Sequence, residues 1–204
     1  QQMEWLAAAV QRHGAGSLAV HLEIDTGMAR QGVAVGSELR ELLRWLSTQR
    51  DIRVDGVMTH FASAEVAGSP LTVVQRARFE EALRMVGEAG LRPAWVHAGN
   101  SSTVDNDVAD GGSLAWLHGV AGSVGARAMV RTGIGLYGYC LPIECAGDAD
   151  AEPQVRDGLR PVMTWKTRVI GLREVGIGDT VGYNATFVAE RRMRLALLPV
   201  GYAD

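Results

Sequence analysis

The stretch that decides the fold is Leu18-Ala19-Val20-His21-Leu22-Glu23-Ile24, which is followed at once by Asp25-Thr26-Gly27-Met28-Ala29-Arg30. A short, mainly apolar run that ends in a polar loop with glycine is typical of a β-strand and the turn after it. The strand carries Glu23, and its loop carries Arg30. The stretch therefore predicts a strand whose C-terminal end bears charged side chains.

The same arrangement of a strand and a polar loop recurs along the chain. Further strand candidates are Ile52–Met58, Ala94–Ala98 and the segment around Arg127–Val130. Helical spacing of apolar residues separates them, with Ser37 a predicted N-cap of one helix and Pro70 the first residue of another. Strands that alternate with helices predict an α/β fold with a parallel sheet, part of a TIM-type (β/α) barrel whose active site lies at the C-terminal strand ends. The residues expected around that mouth are Arg30, His60, His97, Asn100, Ser101 and Arg131.

Composition narrows the class of protein. Of the 204 residues, 47% are hydrophobic and 21% are charged, which is ordinary for a soluble globular protein. A net charge of −3 supplies no basic field for nucleic acid or anionic lipid, and no apolar run approaches the length of a membrane span. Cys140 and Cys145 are expected to be reduced thiols in a cytoplasmic compartment rather than a disulfide. No metal is expected, because no second pair of Cys or His stands at ligand spacing beside these two cysteines.

The character of the sequence changes after Cys140. Residues 147–160 are acidic and contain glycine without periodicity, so we interpret them as a linker or loop. Strand-like segments then follow without intervening helices: Val162–Leu172, Thr180-Val181 and Met193–Val200. The predicted organisation is a partial (β/α) barrel over 1–146, the linker over 147–160, and the start of a C-terminal β domain over 161–204.

Short motifs follow one another along the chain in a fixed order. They are Thr59-His60-Phe61-Ala62, His97-Ala98-Gly99-Asn100-Ser101, Val130-Arg131-Thr132-Gly133-Ile134, Val181-Gly182-Tyr183-Asn184-Ala185-Thr186 and Val200-Gly201-Tyr202-Ala203-Asp204. Together with the Asp25–Arg30 loop they resemble the alanine racemase family, whose members bind pyridoxal 5'-phosphate on a TIM-type barrel followed by a β domain. The resemblance implies an isomerase that interconverts L- and D-alanine by two-base proton transfer and supplies D-alanine for peptidoglycan. It also implies a homodimer with shared active sites.

The resemblance assigns cofactor-binding roles. Arg131 is implied to face the pyridine nitrogen, while the backbone N–H groups of Gly133 and Ile134 hold the phosphate together with the hydroxyl of Ser101. A guanidinium keeps its proton, so the ring nitrogen accepts a hydrogen bond and stays neutral. The weaker electron sink that results favours racemisation over transamination. Two further cofactor-binding residues implied by the motif are Asn100 and His97.

The resemblance also assigns residues to substrate and proton transfer. Arg30 is implied to bind the substrate carboxylate and the cofactor phenol oxygen, and Tyr202 to narrow the channel and touch substrate. Tyr183 is implied to be a catalytic acid and base that acts in the partner's barrel, with His60 supporting it. Packing roles for the tyrosines and purely structural roles for His60 and His97 are the alternatives. Where many relatives have a lysine, often carbamylated, this chain has Glu23, and our hypothesis is that this carboxylate replaces the carbamate.

Two-base racemisation needs a lysine that forms a Schiff base with the cofactor, and no matching lysine is found. Lys166 lies in Thr164-Trp165-Lys166-Thr167-Arg168, which does not fit the family's motif. We therefore expect an internal piece of a racemase, without the N-terminal lysine segment and the end of the β domain, that is inactive alone. The alternatives are a serine or broad-specificity racemase, a decarboxylase or lyase of the same barrel class, and a non-catalytic cofactor-binding or interaction protein.

Overall fold

The fold is given by a computed structural model, which describes residues 2–13, 18–107, 112–140, 144–145, 154–155 and 158–201. The chain divides into two compact units, Gln1–Val162 and Met163–Asp204. Among the described residues, none of the helices combines the length and the apolar character needed to cross a membrane.

The first unit alternates strands and helices. In chain order its elements are α1 (Gln2–His13), β1 (Leu18–Asp25), β2 (Val33–Ala34), α2 (Ser37–Thr48), β3 (Ile52–Met58), β4 (Val66–Ala67), α3 (Pro70–Glu88), β5 (Trp95–His97), α4 (Ser101–Asp105), α5 (Ser113–Ser123), β6 (Arg127–Met129), a 3₁₀ helix (Ile134–Tyr137), β7 (Tyr139–Cys140), β8 (Glu144–Cys145) and β9 (Gln154–Val155).

A five-stranded sheet with the order β2-β1-β3-β5-β6 organises this unit. All of its pairings are parallel, which confirms the predicted parallel sheet. Parallel strands place their C-terminal ends at one edge, so the loops after β1, β3, β5 and β6 emerge side by side. These loops are the ones that carry the candidate site residues.

One face of the sheet is covered by helices. Leu22, Val57 and Val96 lie in a shared apolar core with side chains of α2, α3 and α5. Each fully buried aliphatic side chain of this kind contributes about 1.5–3 kcal/mol to the free energy of unfolding. The remaining core side chains include Ile24, Leu39, Leu43, Leu46, Phe79, Ala82, Leu83, Val86, Leu117 and Ala121.

A β-bulge decides which side chains point away from that core. β1 pairs with β3 as Val20 with Val54, but the next pair is His21 with Gly56, so Asp55 is an extra residue in β3. Side chains alternate along a strand, so the extra residue places Gly56 and Met58 on the face of the sheet opposite the core. His21 of β1 pairs with Gly56 and therefore lies on that face. His97 of β5 pairs with Met58, so its ring lies on that face as well.

The second unit is built from short antiparallel pairs. Its elements are β10 (Gly171–Val175), which pairs with β13 (Met193–Leu197), and β11 (Thr180–Val181), which pairs with β12 (Phe187–Val188). A second 3₁₀ helix, Tyr183–Ala185, lies between β11 and β12. The prediction of a strand over Val162–Leu172 was wrong in extent, because regular pairing begins only at Gly171. An apolar pattern does not make a strand where no neighbouring strand supplies hydrogen bonds.

The predicted linker over 147–160 also differs in part from the structure. Gln154–Val155 forms β9 and pairs antiparallel with β7, so this stretch is not an unpaired loop. Most of the remaining linker lies outside the described residues, as do Tyr202 and the side chain of Cys145. Cys140 is buried.

Candidate active site

Arg131 lies at the centre of the polar edge of the sheet. Its Nη1 is 2.9 Å from Nδ1 of His97, and its Nη2 is 2.9 Å from Nδ1 of His60. Nη2 also donates to the carbonyl oxygen of Thr59 at 2.8 Å. The guanidinium thus joins the ends of β3, β5 and β6, and it brings three of the predicted site residues into direct contact.

The direction of these hydrogen bonds follows from the chemistry of the groups. A guanidinium has only N–H donors, so Nδ1 of His97 and Nδ1 of His60 must accept. Burial lowers the pKa of His97 to about 4, and the electrostatic effects of Arg131 and His21 act in the same direction. Burial and then Arg131 and Arg30 lower the pKa of His60 as well, against the smaller opposing effects of Glu23 and Glu65. Both imidazoles are therefore neutral acceptors near pH 7.

Glu23 and Arg30 act on the same guanidinium. Burial lowers the pKa of Arg131, the carboxylate of Glu23 raises it, and the guanidinium of Arg30 lowers it. Arginine keeps its proton despite such shifts, so Arg131 remains a cation held between neutral rings. Glu23 and Arg30 are joined to each other by no salt bridge or hydrogen bond in the part of the chain that the structure describes. Both act on the site through space.

A cradle of backbone N–H groups lies beside Arg131. The N–H groups of Gly133 and Gly135 donate to Oγ of Ser101 at 2.9 and 3.0 Å. A Cβ at position 135 would stand 3.2 Å from that oxygen, so glycine permits the close approach. The first 3₁₀ helix begins at Ile134, directly after Gly133. Ser101 thus holds in place the loop that carries the backbone N–H of Ile134, one of the predicted phosphate donors.

Asn100 caps the short helix that follows it. Its Oδ1 accepts from the backbone N–H of Thr103 at 3.1 Å, and its own N–H donates to Oγ1 of Thr103 at 3.1 Å. This reciprocal pair is a capping box at the start of α4. Asn100 therefore fixes the helix end that presents Ser101 to the glycine loop.

A buried polar network below the site was not predicted. Gln75 on α3 is 0% exposed, and its Nε2 donates to Oγ1 of Thr26 at 3.0 Å and to the carbonyl of His60 at 2.9 Å. Its Oε1 accepts from the backbone N–H of Ala62 at 2.9 Å. Oγ1 of Thr26 and Oγ1 of Thr59 are 2.7 Å apart. The sequence signal for this network is Gln75 itself, a polar residue on the apolar face of α3. A buried amide there is unfavourable unless it has hydrogen-bond partners.

The loop that ends in Arg30 is shaped by Asp25. Its Oδ1 accepts from the backbone N–H groups of Gly27 at 2.9 Å, Met28 at 3.0 Å and Ala29 at 3.1 Å. These bonds, the one from Ala29 first, lower the pKa of the carboxyl group. The carboxylate of Asp25 thus closes the loop. Arg30, at the end of the loop, is exposed to solvent.

His21, on β1, also contacts the site. Its Nδ1 lies 2.7 Å from Nε2 of His97, on the opposite side of that ring from Arg131. No sequence motif marks it, because β1 and β5 are brought together only by the order of strands in the sheet.

The remaining predicted residues belong to the second unit. Tyr183 lies on the second 3₁₀ helix with 86% of its surface exposed. Lys166, the only lysine of the 204 residues, is exposed in the same unit. Tyr202 lies outside the described residues. Among the residues that the structure does describe, no three His, Cys, Asp or Glu side chains are grouped to hold a metal ion.

Known proteins share both the sequence and the fold. The family model of the alanine racemase N-terminal domain matches residues 1–141, and that of the C-terminal domain matches residues 162–204. An alanine racemase of Symbiobacterium thermophilum is 38% identical over 185 residues, which cover 91% of this chain and 43% of the relative. An alanine racemase of Sorangium cellulosum is 34% identical over 203 residues, covering 100% of this chain and 47% of the relative.

A solved structure agrees with these matches. The alanine racemase from Streptomyces coelicolor A3(2) superposes with a TM-score of 0.70 at 30% identity, covering 100% of this chain and 48% of that one. The chain therefore spans about half the length of the relatives that it matches. Because the two family models match the first and the second unit in turn, the chain belongs to the alanine racemase family.

Proposed function

We propose that this chain supplies the cofactor-facing part of an amino-acid racemase that uses pyridoxal 5'-phosphate to interconvert L- and D-alanine. The observation that carries the proposal is the guanidinium of Arg131, held by His97, His60 and Thr59 beside the anion cradle of Ser101. We further propose a cytoplasmic homodimer whose product, D-alanine, enters peptidoglycan.

The residues present fit pyridoxal 5'-phosphate at two points. The loop of Gly133, Ile134 and Gly135 is tied to Oγ of Ser101, and it is proposed to present the backbone N–H of Ile134, together with the hydroxyl hydrogen of Ser101, to the phosphate. The contacts of Arg131 leave further N–H groups of the guanidinium to donate to a ring nitrogen. A decarboxylase of the same barrel class would instead be expected to place a carboxylate at that nitrogen.

The cofactor, when bound, supplies a conjugated ring that stabilises negative charge at the α-carbon of the amino acid. Arg131 limits that stabilisation, because a permanently protonated donor leaves the ring nitrogen unprotonated. His97 and His60 hold the guanidinium in place as neutral acceptors. Such limited stabilisation would favour return of a proton to the α-carbon over side reactions.

The substrate and the moving proton are assigned to other residues. Arg30, exposed at the end of the Asp25 loop, is proposed to bind the substrate carboxylate as a planar fork. Glu23 is proposed to balance the charge of Arg30 and Arg131. Tyr183, exposed on the β unit, is proposed to carry the α-proton in the active site of the partner protomer.

The second base is the lysine that two-base racemisation requires. Residues 1–165 contain no lysine, and Lys166 lies in the second unit, in a segment that does not match the family's lysine motif. We therefore expect the 204-residue chain by itself not to racemise alanine, and the activity is proposed for the complete gene product.

The proposed function is tested with the complete gene product and added pyridoxal 5'-phosphate, by coupling formation of D-amino acid to a D-amino-acid oxidase. Alanine, serine and lysine are compared as L-substrates. Turnover highest with alanine supports the proposal. A preference for serine or lysine would reassign the substrate, release of CO₂ would indicate a decarboxylase, and cofactor binding without turnover would indicate a non-catalytic relative.

A further inference from the structure

The contact between His21 and His97 crosses a strand. His21 lies on β1 and His97 on β5, and β3 separates these strands in the sheet. Neighbouring strands lie about 4.8 Å apart, so residues two strands apart do not normally touch through short side chains. Here the ring centroids are 4.8 Å apart, and Nδ1 of His21 lies 2.7 Å from Nε2 of His97.

Gly56 makes the crossing feasible. It is the residue of β3 that pairs with His21, and the bulge at Asp55 is what puts it there. A Cβ built at position 56 would stand 2.5–2.7 Å from three atoms of the His21 ring, closer than real side-chain contacts. The space that glycine leaves on β3 is therefore filled by the imidazole of β1.

The hydrogen bonds have a single consistent direction. Nδ1 of His97 must accept from Arg131, so the neutral ring carries its hydrogen on Nε2. That Nε2–H points to Nδ1 of His21, which accepts and therefore carries its own hydrogen on Nε2. Because His97 is only 3% exposed, its N–H has little access to water as a substitute partner.

We propose that His21 is a positioning residue for Arg131: it accepts from His97 and thereby holds His97 in the one tautomer and orientation that accept from the guanidinium. Gly56 is the residue that gives His21 this position. The importance for catalysis rests on the proposed function, in which Arg131 faces the cofactor. The hydrogen-bond chain itself does not depend on that function.

The first test needs no cofactor. Nitrogen-15 NMR of histidine-labelled complete gene product, without pyridoxal 5'-phosphate, reports the tautomer of His97 and the downfield resonance of a hydrogen-bonded Nε2–H. We expect both in the wild type and in His21→Asn, whose Oδ1 can accept in place of Nδ1. The downfield resonance is expected to disappear in His21→Leu.

The second test measures the dissociation constant for pyridoxal 5'-phosphate by the change in absorbance on titration. His21→Leu is expected to weaken binding roughly tenfold, since the N–H of His97 loses its acceptor. His21→Asn is expected to restore binding to within about twofold of wild type. His118→Leu changes an exposed histidine of α5 and serves as the control that leaves affinity unchanged.

Gly56→Ala perturbs the same contact without altering either histidine. It is expected to weaken cofactor binding like His21→Leu, whereas Gly119→Ala, where a Cβ meets nothing within 4 Å, should have no effect. Should His21→Leu not fold, His21→Asn and Gly56→Ala decide the matter.

The inference is overturned if the wild-type spectrum shows His97 protonated on Nδ1. It is also overturned if His21→Leu binds the cofactor as tightly as the wild type, or if His21→Asn is as impaired as His21→Leu. If the wild-type protein does not bind pyridoxal 5'-phosphate at all, the proposed function fails, and the NMR arm still decides the hydrogen-bond chain.

Discussion

The backbone N–H of Arg131 donates to the carbonyl of Gly99 at 3.2 Å. This bond ties the strand end that carries the guanidinium to the loop that leads into Ser101. The group proposed to face the ring nitrogen and the group proposed to hold the phosphate are thus fixed relative to each other by the backbone itself. A site held by rigid elements in this way requires little reorganisation when a ligand binds.

The shared active site of the proposed homodimer leads to a complementation experiment. Tyr183→Phe and Arg131→Gln are each expected to abolish racemisation in the complete gene product. If Tyr183 acts in the partner's barrel, a mixed dimer places both changes in one site and leaves the other intact. Co-refolding equal amounts should then restore about one quarter of wild-type activity. Activity that stays at the level of the single variants would mean that Tyr183 acts within its own protomer or not at all.

Ser101→Ala removes the acceptor shared by the N–H groups of Gly133 and Gly135. We expect affinity for pyridoxal 5'-phosphate to fall roughly tenfold, because the glycine loop loses its anchor and the phosphate loses a hydroxyl donor. Equilibrium titration measures this change. Ser102→Ala is the matched control, since Ser102 is equally buried at the next position of α4. Equal affinities for both variants would contradict the cradle.

Gln75→Leu tests the network below the site. It removes the bonds that Gln75 makes with the carbonyl of His60 and the N–H of Ala62, and it leaves Oγ1 of Thr26 with Oγ1 of Thr59 alone. The free energy of unfolding in urea should fall by roughly 2–4 kcal/mol. The exposed Gln11→Leu should change it by less than about 0.5 kcal/mol. Similar losses in both variants would show that the network contributes nothing specific.

The low pKa of His97 predicts a pH dependence of stability. The folded ring binds a proton near pH 4 and an unfolded one near 6.5, so the unfolded state holds more protons between these values. The contribution of His97 to stability should therefore be complete above about pH 6.5, decrease as the pH falls toward 4, and level off below, with a total loss of about 3 kcal/mol.

Urea unfolding at successive pH values, compared between wild type and His97→Gln, measures this contribution. The variant should show a shallower slope, and the residual slope should include the lowered pKa of His60, which acts in the same direction. The exposed His118→Gln should keep the wild-type profile. Parallel profiles for wild type and His97→Gln would contradict a neutral, buried His97.

Glu23 is predicted to replace the carbamylated lysine that many relatives have at this position. Activity of the wild-type gene product should not depend on added bicarbonate. Glu23→Gln should raise KM for alanine several-fold, since the carboxylate that balances Arg30 and Arg131 is lost. The exposed Glu41→Gln on α2 is the control. Unchanged activity and unchanged bicarbonate independence in Glu23→Gln would refute the substitution hypothesis.

The sequence by itself determined the alternation of strands and helices and the placing of polar residues at strand ends. These features are local, because apolar period and turn residues are read within one segment at a time. The predicted N-cap Ser37 was wrong by one position, since Ser37 is the first residue of α2 and Gly36 is its N-cap. Because parallel strands share a C-terminal edge, the strand ends that carry His60, His97 and Arg131 had to converge. The apolar pattern over Val162–Ile170 did not predict the structure correctly, because these residues form no strand. A strand requires a neighbouring strand to pair with, and composition alone does not supply one.

Only the tertiary structure decided which polar groups touch one another. His21 reaches His97 because the strand order sets β3 between them and a bulge puts Gly56 opposite His21. Gln75 meets His60 because α3 packs across the strand ends. Such contacts join residues far apart in the chain, and a shift of one residue in register would turn each side chain to the other face. The periodicity within one segment does not determine the register between strands, so these contacts could not be predicted from the sequence.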